Sequence, residues 1–320
     1  MTPFDMHTGA GRDTRPATAR NRQDATAQRW SLRITLIPLI VLGFVAIALV
    51  VRAWPIMRTY PLMELLFGTV WKPSSGLFGL WPFIAGTLWV TWVGVLLAVP
   101  PSILTAIYIA EYTHTRTRLI IKPVLDVLAS IPPVVYGVWG LLAVVPFVEE
   151  VLAPTLSTAF GILPLFAINQ PTGFGVLAGG IVLAVMITPL MIAILYEILH
   201  TVPNDLRQAS LAVGATRWET IWLVLIPHIA PGIIAAIVLG ASRAFGETIA
   251  VLMVVGNVPQ APTSLFDTAY PLPALIANNY GEMMSIPLYD AALLMVALVL
   301  LVVVFIFNLV AMMILRRFVR

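Results

Sequence analysis

The chain has no cysteine, which excludes disulfides, thiolate metal centres and cysteine nucleophiles. Charge is almost as scarce. Only 10% of the 320 residues are Asp, Glu, Lys or Arg, against about 25% in a soluble domain. A surface facing water cannot be built from so few charges, whereas a surface facing lipid needs almost none. Histidine is limited to His7, His114, His200 and His228. They are scattered over the tail and loops, so no metal or haem site is expected, because such a site needs converging ligands. The chain has no G-x-x-x-x-G-K-[ST] phosphate-binding loop. No Ser-His-Asp set or carboxylate pair stands out, so no catalytic residue is assigned and an enzyme is not expected.

What is abundant is apolar. Hydrophobic residues make up 60% of the chain, and the mean hydropathy is +0.96. The net charge of +3 and a pI near 9.4 could suggest a nucleic-acid partner. The basic residues, however, lie in short stretches between apolar runs and form no face interleaved with aromatics, so none is expected. The expected surroundings are a lipid bilayer. A spanning helix needs roughly 20 apolar residues, and six runs qualify: 34–53, 83–110, 124–148 (interrupted by Pro132-Pro133), 174–196, 229–255 and 291–315. The fold class that follows is all-α, a polytopic membrane protein with about six transmembrane helices.

The basic residues orient these spans. Arg12, Arg15, Arg20, Arg22, Arg29 and Arg33 precede the first. Arg116, Arg118 and Lys122 lie between the second and third, Arg207 and Arg217 between the fourth and fifth, and Arg316, Arg317 and Arg320 follow the sixth. The opposite side holds only Arg52, Arg58 and Lys72, together with Glu64, Glu149, Glu150, Asp267, Glu282 and Asp290. Positive residues stay in the cytoplasm, which places both termini there, in a multi-pass protein of the cytoplasmic (inner) cell membrane. Trp54, Tyr60, Trp71, Trp81, Tyr280 and Tyr289 fall near the outer interface, although each could equally pack within a loop. Residues 1–33 read as a disordered cytoplasmic tail, and 34–320 as the transmembrane domain. The first apolar run follows a long polar stretch and lacks an A-x-A-like end, so it reads as an uncleaved anchor. No short repeat is evident.

The loop between the fourth and fifth spans, about 197–228, is too polar to span and too regular to be a plain linker. Pro203-Asn204-Asp205 marks a helix start. Gly214 fits the left-handed position that ends a helix, and Thr216 with Glu219 forms a capping box for a second helix. The pattern is helix, glycine turn, helix, ending at Pro227. From these local signals alone, a membrane-surface hairpin with no partner is as good a reading as a docking element.

Gln208-Ala209-Ser210, three residues, Gly214, nine residues and then Val224-Leu225-Ile226-Pro227 resembles the EAA loop of binding-protein-dependent ABC importer permeases. The family pattern is E-A-A, three residues, G, nine residues, I-x-L-P. Gln208 replaces the usual Glu, and Ser210 the second Ala. The resemblance implies that Gln208, Ala209, Ser210, Gly214 and Pro227 belong to a coupling element that docks on a separate ATPase. ATP and Mg would be bound by that partner, with no cofactor in this chain.

The fifth run contains a charge, Arg243, near its middle. A charge at such depth costs on the order of 3 kcal/mol unless it is paired or faces water. Glu247, one turn away on the same face, is the obvious partner. Two readings stand: a neutralised structural pair, or a guanidinium that faces a translocation path and favours an anion. Ala236, Gly240 and Ala244 recur every four residues and would admit a second helix closely.

Arg243-Ala244-Phe245-Gly246-Glu247-Thr248 resembles the R-A-x-G-E-T motif of phosphate-specific ABC permeases, and the stretch after it looks more like the PstC-type than the PstA-type subunit. The resemblance covers about residues 80–320. It implies a path lined by Arg243, Glu247, Thr248 and Ser242. It also implies a PstA-type permease, a PstB-type ATPase dimer and an outer phosphate-binding protein as partners. The expected function is ATP-driven phosphate import by alternating access. The alternatives are a permease for molybdate or sulfate and, from a different class, a secondary anion transporter. Glu111-Tyr112 reads as part of a basic interface loop. Ser130-Ile131-Pro132-Pro133 is either a path-lining break or a packing kink. Residues 169–175 and 258–287 should be outer loops.

Overall fold

The computed structural model describes residues 17–170, 172–281 and 285–318. Among them, six helices are long and apolar enough to cross a membrane: Trp30–Thr59, Trp81–Tyr112, Pro133–Phe160, Val176–His200, Arg217–Gly246 and Tyr289–Arg317. We refer to these as the first to sixth spans.

Three of the expected segments change. The helix holding the first span begins at Ala17, so the stretch 17–33 is helical where a disordered tail was expected. Ala, Arg and Gln are good helix formers and prolong the apolar helix. Arg12 and Arg15 lie outside the described residues. The third span shifts to Pro133–Phe160. Thr115–Ser130 is a separate amphipathic helix, and Pro132-Pro133 separates the two, because a residue before proline disfavours the helical region. The fifth span begins earlier, at Arg217, and stops earlier, at Gly246.

Three of the spans hold widened turns, and most have the same cause. The π-helical turns Gly140–Val144, Val148–Leu152 and Ile221–Leu225 are followed within two residues by Pro146, Pro154 and Pro227. Proline lacks the N–H for the ladder, and its ring presses on the carbonyl four residues back. An extra residue in the preceding turn relieves both. Pro227 therefore does not end a helix, as expected, but sits inside the fifth span. Tyr108–Tyr112, at the end of the second span, is a further π-helical turn.

The chain divides into two compact units, Met1–Val51 and Arg52–Arg320. Within the second, the second and fourth spans pack most closely. A Cβ on Gly180 would lie 2.3 Å from Val93 Cγ1, and one on Gly94 2.9 Å from Leu183 Cβ, so only glycine allows this approach. The small-residue stripe of the fifth span is buried at Ala236 and Ala244. A Cβ on Gly240 would lie 2.8 Å from Met191 Sδ of the fourth span, so that span is the close neighbour. At the opposite end, Trp71–Lys72 pairs antiparallel with Leu77–Phe78, and Trp71 stacks edge-on against Phe78 and Phe83.

The loops before the fourth span and after the fifth are joined through Asp267, which is 4% exposed. Its carboxylate accepts from the Thr263 and Ser264 backbone N–H groups, the Thr263 hydroxyl and the Asn169 amide, at 2.8–2.9 Å. Thr268 donates to Gln170 Oε1 at 3.0 Å, and Ser264 to the Leu165 carbonyl at 3.0 Å. Burial alone would raise the Asp267 pKa, but the donors from Thr263, Asn169 and Ser264 outweigh it and hold it below the usual value. Its stabilisation is therefore complete above the ordinary carboxylate pKa of about 4 and fades only as pH falls through the lowered one. Asp267→Ala orphans these donors, at a cost of about 2 kcal/mol. The expected result is faster proteolytic cleavage within 257–268; a cleavage rate equal to wild type would show that the network does not order the loop.

Candidate functional site

Two chain breaks meet at Arg243. The fifth span ends at Gly246, Glu247 adopts an extended ψ of 121°, and the short helix Ile249–Leu252 follows. Helical spacing therefore lapses before Glu247, and the expected Arg243–Glu247 ion pair does not form. Glu247 Oε1 instead accepts from the Ala250 N–H at 3.2 Å. Arg243 Nη2 donates to the carbonyl of Ala129 at 3.4 Å, in the last turn of Thr115–Ser130. This is the second break, and Tyr136 just beyond it donates to the Leu128 carbonyl at 2.8 Å. The two breaks touch: a Cβ on Gly137 would lie 2.7 Å from Met253 Sδ and 3.1 Å from Ala250 Cα.

A guanidinium offers five N–H donors. Among the described residues, Arg243 uses one long hydrogen bond and has no carboxylate partner. Its place in the last turn of the helix is favourable for a cation, but most of its donors remain free inside an apolar run. Thr248 donates to the Gly246 carbonyl at 3.3 Å, beside the break. Ser242 departs from expectation. Its hydroxyl donates to Asn308 Oδ1 of the sixth span at 3.1 Å, because one residue along a helix is a turn of about 100° away from Arg243.

The hairpin between the fourth and fifth spans is built as its local residues require. Its first helix is Asn204–Ala212. The expected Asn or Asp cap is replaced by Pro203, and Asn204 Oδ1 accepts from Arg207 instead, at 3.3 Å. Gly214 has φ +91°. The N–H groups of Gly214 and Ala215 bond back to the Leu211 and Ser210 carbonyls at 3.0 and 3.3 Å, a Schellman end that satisfies carbonyls otherwise left free. Thr216 and Glu219 form the full capping box, and the second helix continues directly into the fifth span. Gln208, Ala209, Leu211, Val213 and Trp218 are exposed on this hairpin, whereas the Ser210 hydroxyl is 2.9 Å from that of Thr220.

Sequence reasoning missed what holds the hairpin and the helix Thr115–Ser130 to the spans. Arg207 pairs with Glu111, at the end of the second span, at 3.0 Å. Arg118 donates to the Ile109 and Ala110 carbonyls at 3.2 and 2.6 Å and lies 3.2 Å from His200 Nε2. Lys122 pairs with Glu197 at 2.6 Å, which raises the Lys122 pKa. The Arg207–Glu111, Arg118–His200 and Lys122–Glu197 partners are 96, 82 and 75 residues apart, so no local pattern could reveal them.

Residues 102–320 match the model of the binding-protein-dependent transport system inner membrane component family. The phosphate transport system permease protein PstC of Mesorhizobium japonicum is 33% identical over 93% of this chain and 94% of its own. A probable ABC transporter permease of Bacillus subtilis, YqgH, is 38% identical over 77% of this chain and 75% of its own. Among solved structures, a bacterial alginate ABC transporter in complex with its pentasaccharide-bound periplasmic protein superposes with a TM-score of 0.52 at 19% identity, covering 92% of this chain and 96% of that one.

Proposed function

Because the chain belongs to the binding-protein-dependent transport system inner membrane components, the permeases of ABC importers, we propose that it is a PstC-type subunit that passes inorganic phosphate. The observation that carries this reading is Arg243, a guanidinium with free donors where two helix breaks meet inside the apolar part of the chain. Non-helical backbone at membrane depth is tolerated where it is buried in protein or lines a cavity, and broken helices of this kind often form transport sites. The PstC relatives, similar over nearly the whole chain, support phosphate as the anion.

Arg243 would draw the anion in, and Glu247 would sort it. Phosphate near neutral pH carries a proton and can donate a hydrogen bond through it to a carboxylate. Sulfate carries none and meets only repulsion there, since an ionised carboxylate is an acceptor alone. Weak, shared holding also allows release. The basic end of the spans would face the cytoplasm. There the 203–220 hairpin would dock on a PstB-type ATPase dimer that binds ATP and Mg, while a PstA-type permease completes the path and a phosphate-binding protein delivers from outside. The exposed Leu211, Val213 and Trp218 suit such a docking surface.

The test is labelled phosphate uptake in cells lacking their own permease, supplied with this chain and its partner subunits. ATP-dependent uptake that excess sulfate or molybdate does not compete away is the expected result. Uptake that survives ATP depletion would overturn the reading, and competition by either oxyanion would overturn the substrate.

A further inference from the structure

We infer that Arg207 is a positioning residue whose pairing with Glu111 makes the hairpin and the end of the second span move as one body, so that the partner's ATP hydrolysis is converted into transport. This rests on the permease reading above. The hairpin is continuous with the fourth and fifth spans along the chain, but its tie to the second span is made by side chains. Arg207 Nε and Nη2 donate to Glu111 Oε1 at 3.1 and 3.0 Å. Its remaining donors reach the Val202 and Leu199 carbonyls at 2.7 and 2.9 Å and Asn204 Oδ1 at 3.3 Å. All five donors of the guanidinium are thus engaged.

That saturation decides between two uses of the place. An open cavity of about 530 Å³ lies here, lined among others by Glu111, Arg118, His200 and Arg207, and its cations suggest an anion site. Arg207 has no donor left for an anion, however. The cavity shows that packing is incomplete here: Ile107 and Ile109 of the second span share an apolar cluster with Leu206 and Ile221, and the ion pair adds a directional tie to that contact. The pair is partly buried, with side-chain exposures of 19% and 15%, and so is screened less than a surface pair. A forked arginine also resists sliding in a way that an apolar contact does not.

The experiment uses the complete transporter in vesicles, with partner permease, ATPase and binding protein, and reads phosphate moved per ATP hydrolysed. Arg207→Lys keeps the charge and loses the fork; Glu111→Gln keeps an acceptor and loses the charge. Each is expected to lower phosphate per ATP about tenfold, with ATPase co-purification and hydrolysis near wild type, and the double variant should be no worse than the worse single. An unchanged ratio, loss of the ATPase from the complex, or single effects that multiply in the double variant would each overturn the inference while leaving the permease reading intact. Wild-type uptake indifferent to ATP would overturn both.

Discussion

Arg243→Gln is expected to lower ATP-driven phosphate uptake about a hundredfold at limiting phosphate, while the complex assembles normally. The magnitude follows from the bonds lost. A hydrogen bond to a charged group contributes about 1.5–3 kcal/mol, and each 1.4 kcal/mol is about a factor of ten in rate. Glutamine retains one amide donor group but no charge and no fork. Arg243→Lys restores the charge as a point without the bidentate geometry and should recover about a tenth of wild-type uptake. The fold has little reason to fail in either variant, because Arg243 makes a single long bond, to Ala129, and is in no ion pair among the described residues. Normal uptake in Arg243→Gln, measured with labelled phosphate over a range of concentrations, would remove Arg243 from the path.

Gly214→Pro is expected to lower the ATPase that co-purifies with the chain more than tenfold and to abolish uptake. Gly214 has φ +91°, and nothing lies within 4 Å of the position a Cβ would take. The penalty is therefore not steric: it is one of backbone conformation and, for proline, of the lost N–H that bonds the Leu211 carbonyl. Proline, fixed at φ of about −65°, cannot close the Schellman turn, so the hairpin loses the angle between its two helices. Gly214→Val keeps an N–H but pays roughly 1–3 kcal/mol of backbone strain and should fall between. Gly214→Asn should behave almost as wild type, because asparagine enters the left-handed region readily. ATPase retained by the proline variant would overturn docking through this turn.

The hairpin was legible because its signals are local. The glycine at a left-handed position and the Thr216–Glu219 box each state their geometry within four residues, and the structure has both. The spans were legible because an apolar run of about 20 residues has few other uses. The third span was misplaced because Val124–Ser130 is apolar enough to join the run after Pro133, and only the double proline marks the division. The Arg243–Glu247 pairing was misread for a related reason: helical spacing assumes a helix, and Gly246 ends it. Arg207–Glu111, Ser242–Asn308 and the Asp267 network connect residues 66 to 99 positions apart where they cross the chain. Such contacts are set by packing, and a single sequence does not display them.

The helix that begins at the Thr216 capping box runs without a stop to Gly246, and so works as a lever. From Arg217 to Arg243 it measures roughly 39 Å at 1.5 Å per residue. A tilt of about 5° at the hairpin end would carry the guanidinium through roughly 3 Å along that arm. That is about the length of its bond to Ala129, so a tilt of a few degrees would suffice to detach the guanidinium from one partner and offer it to another.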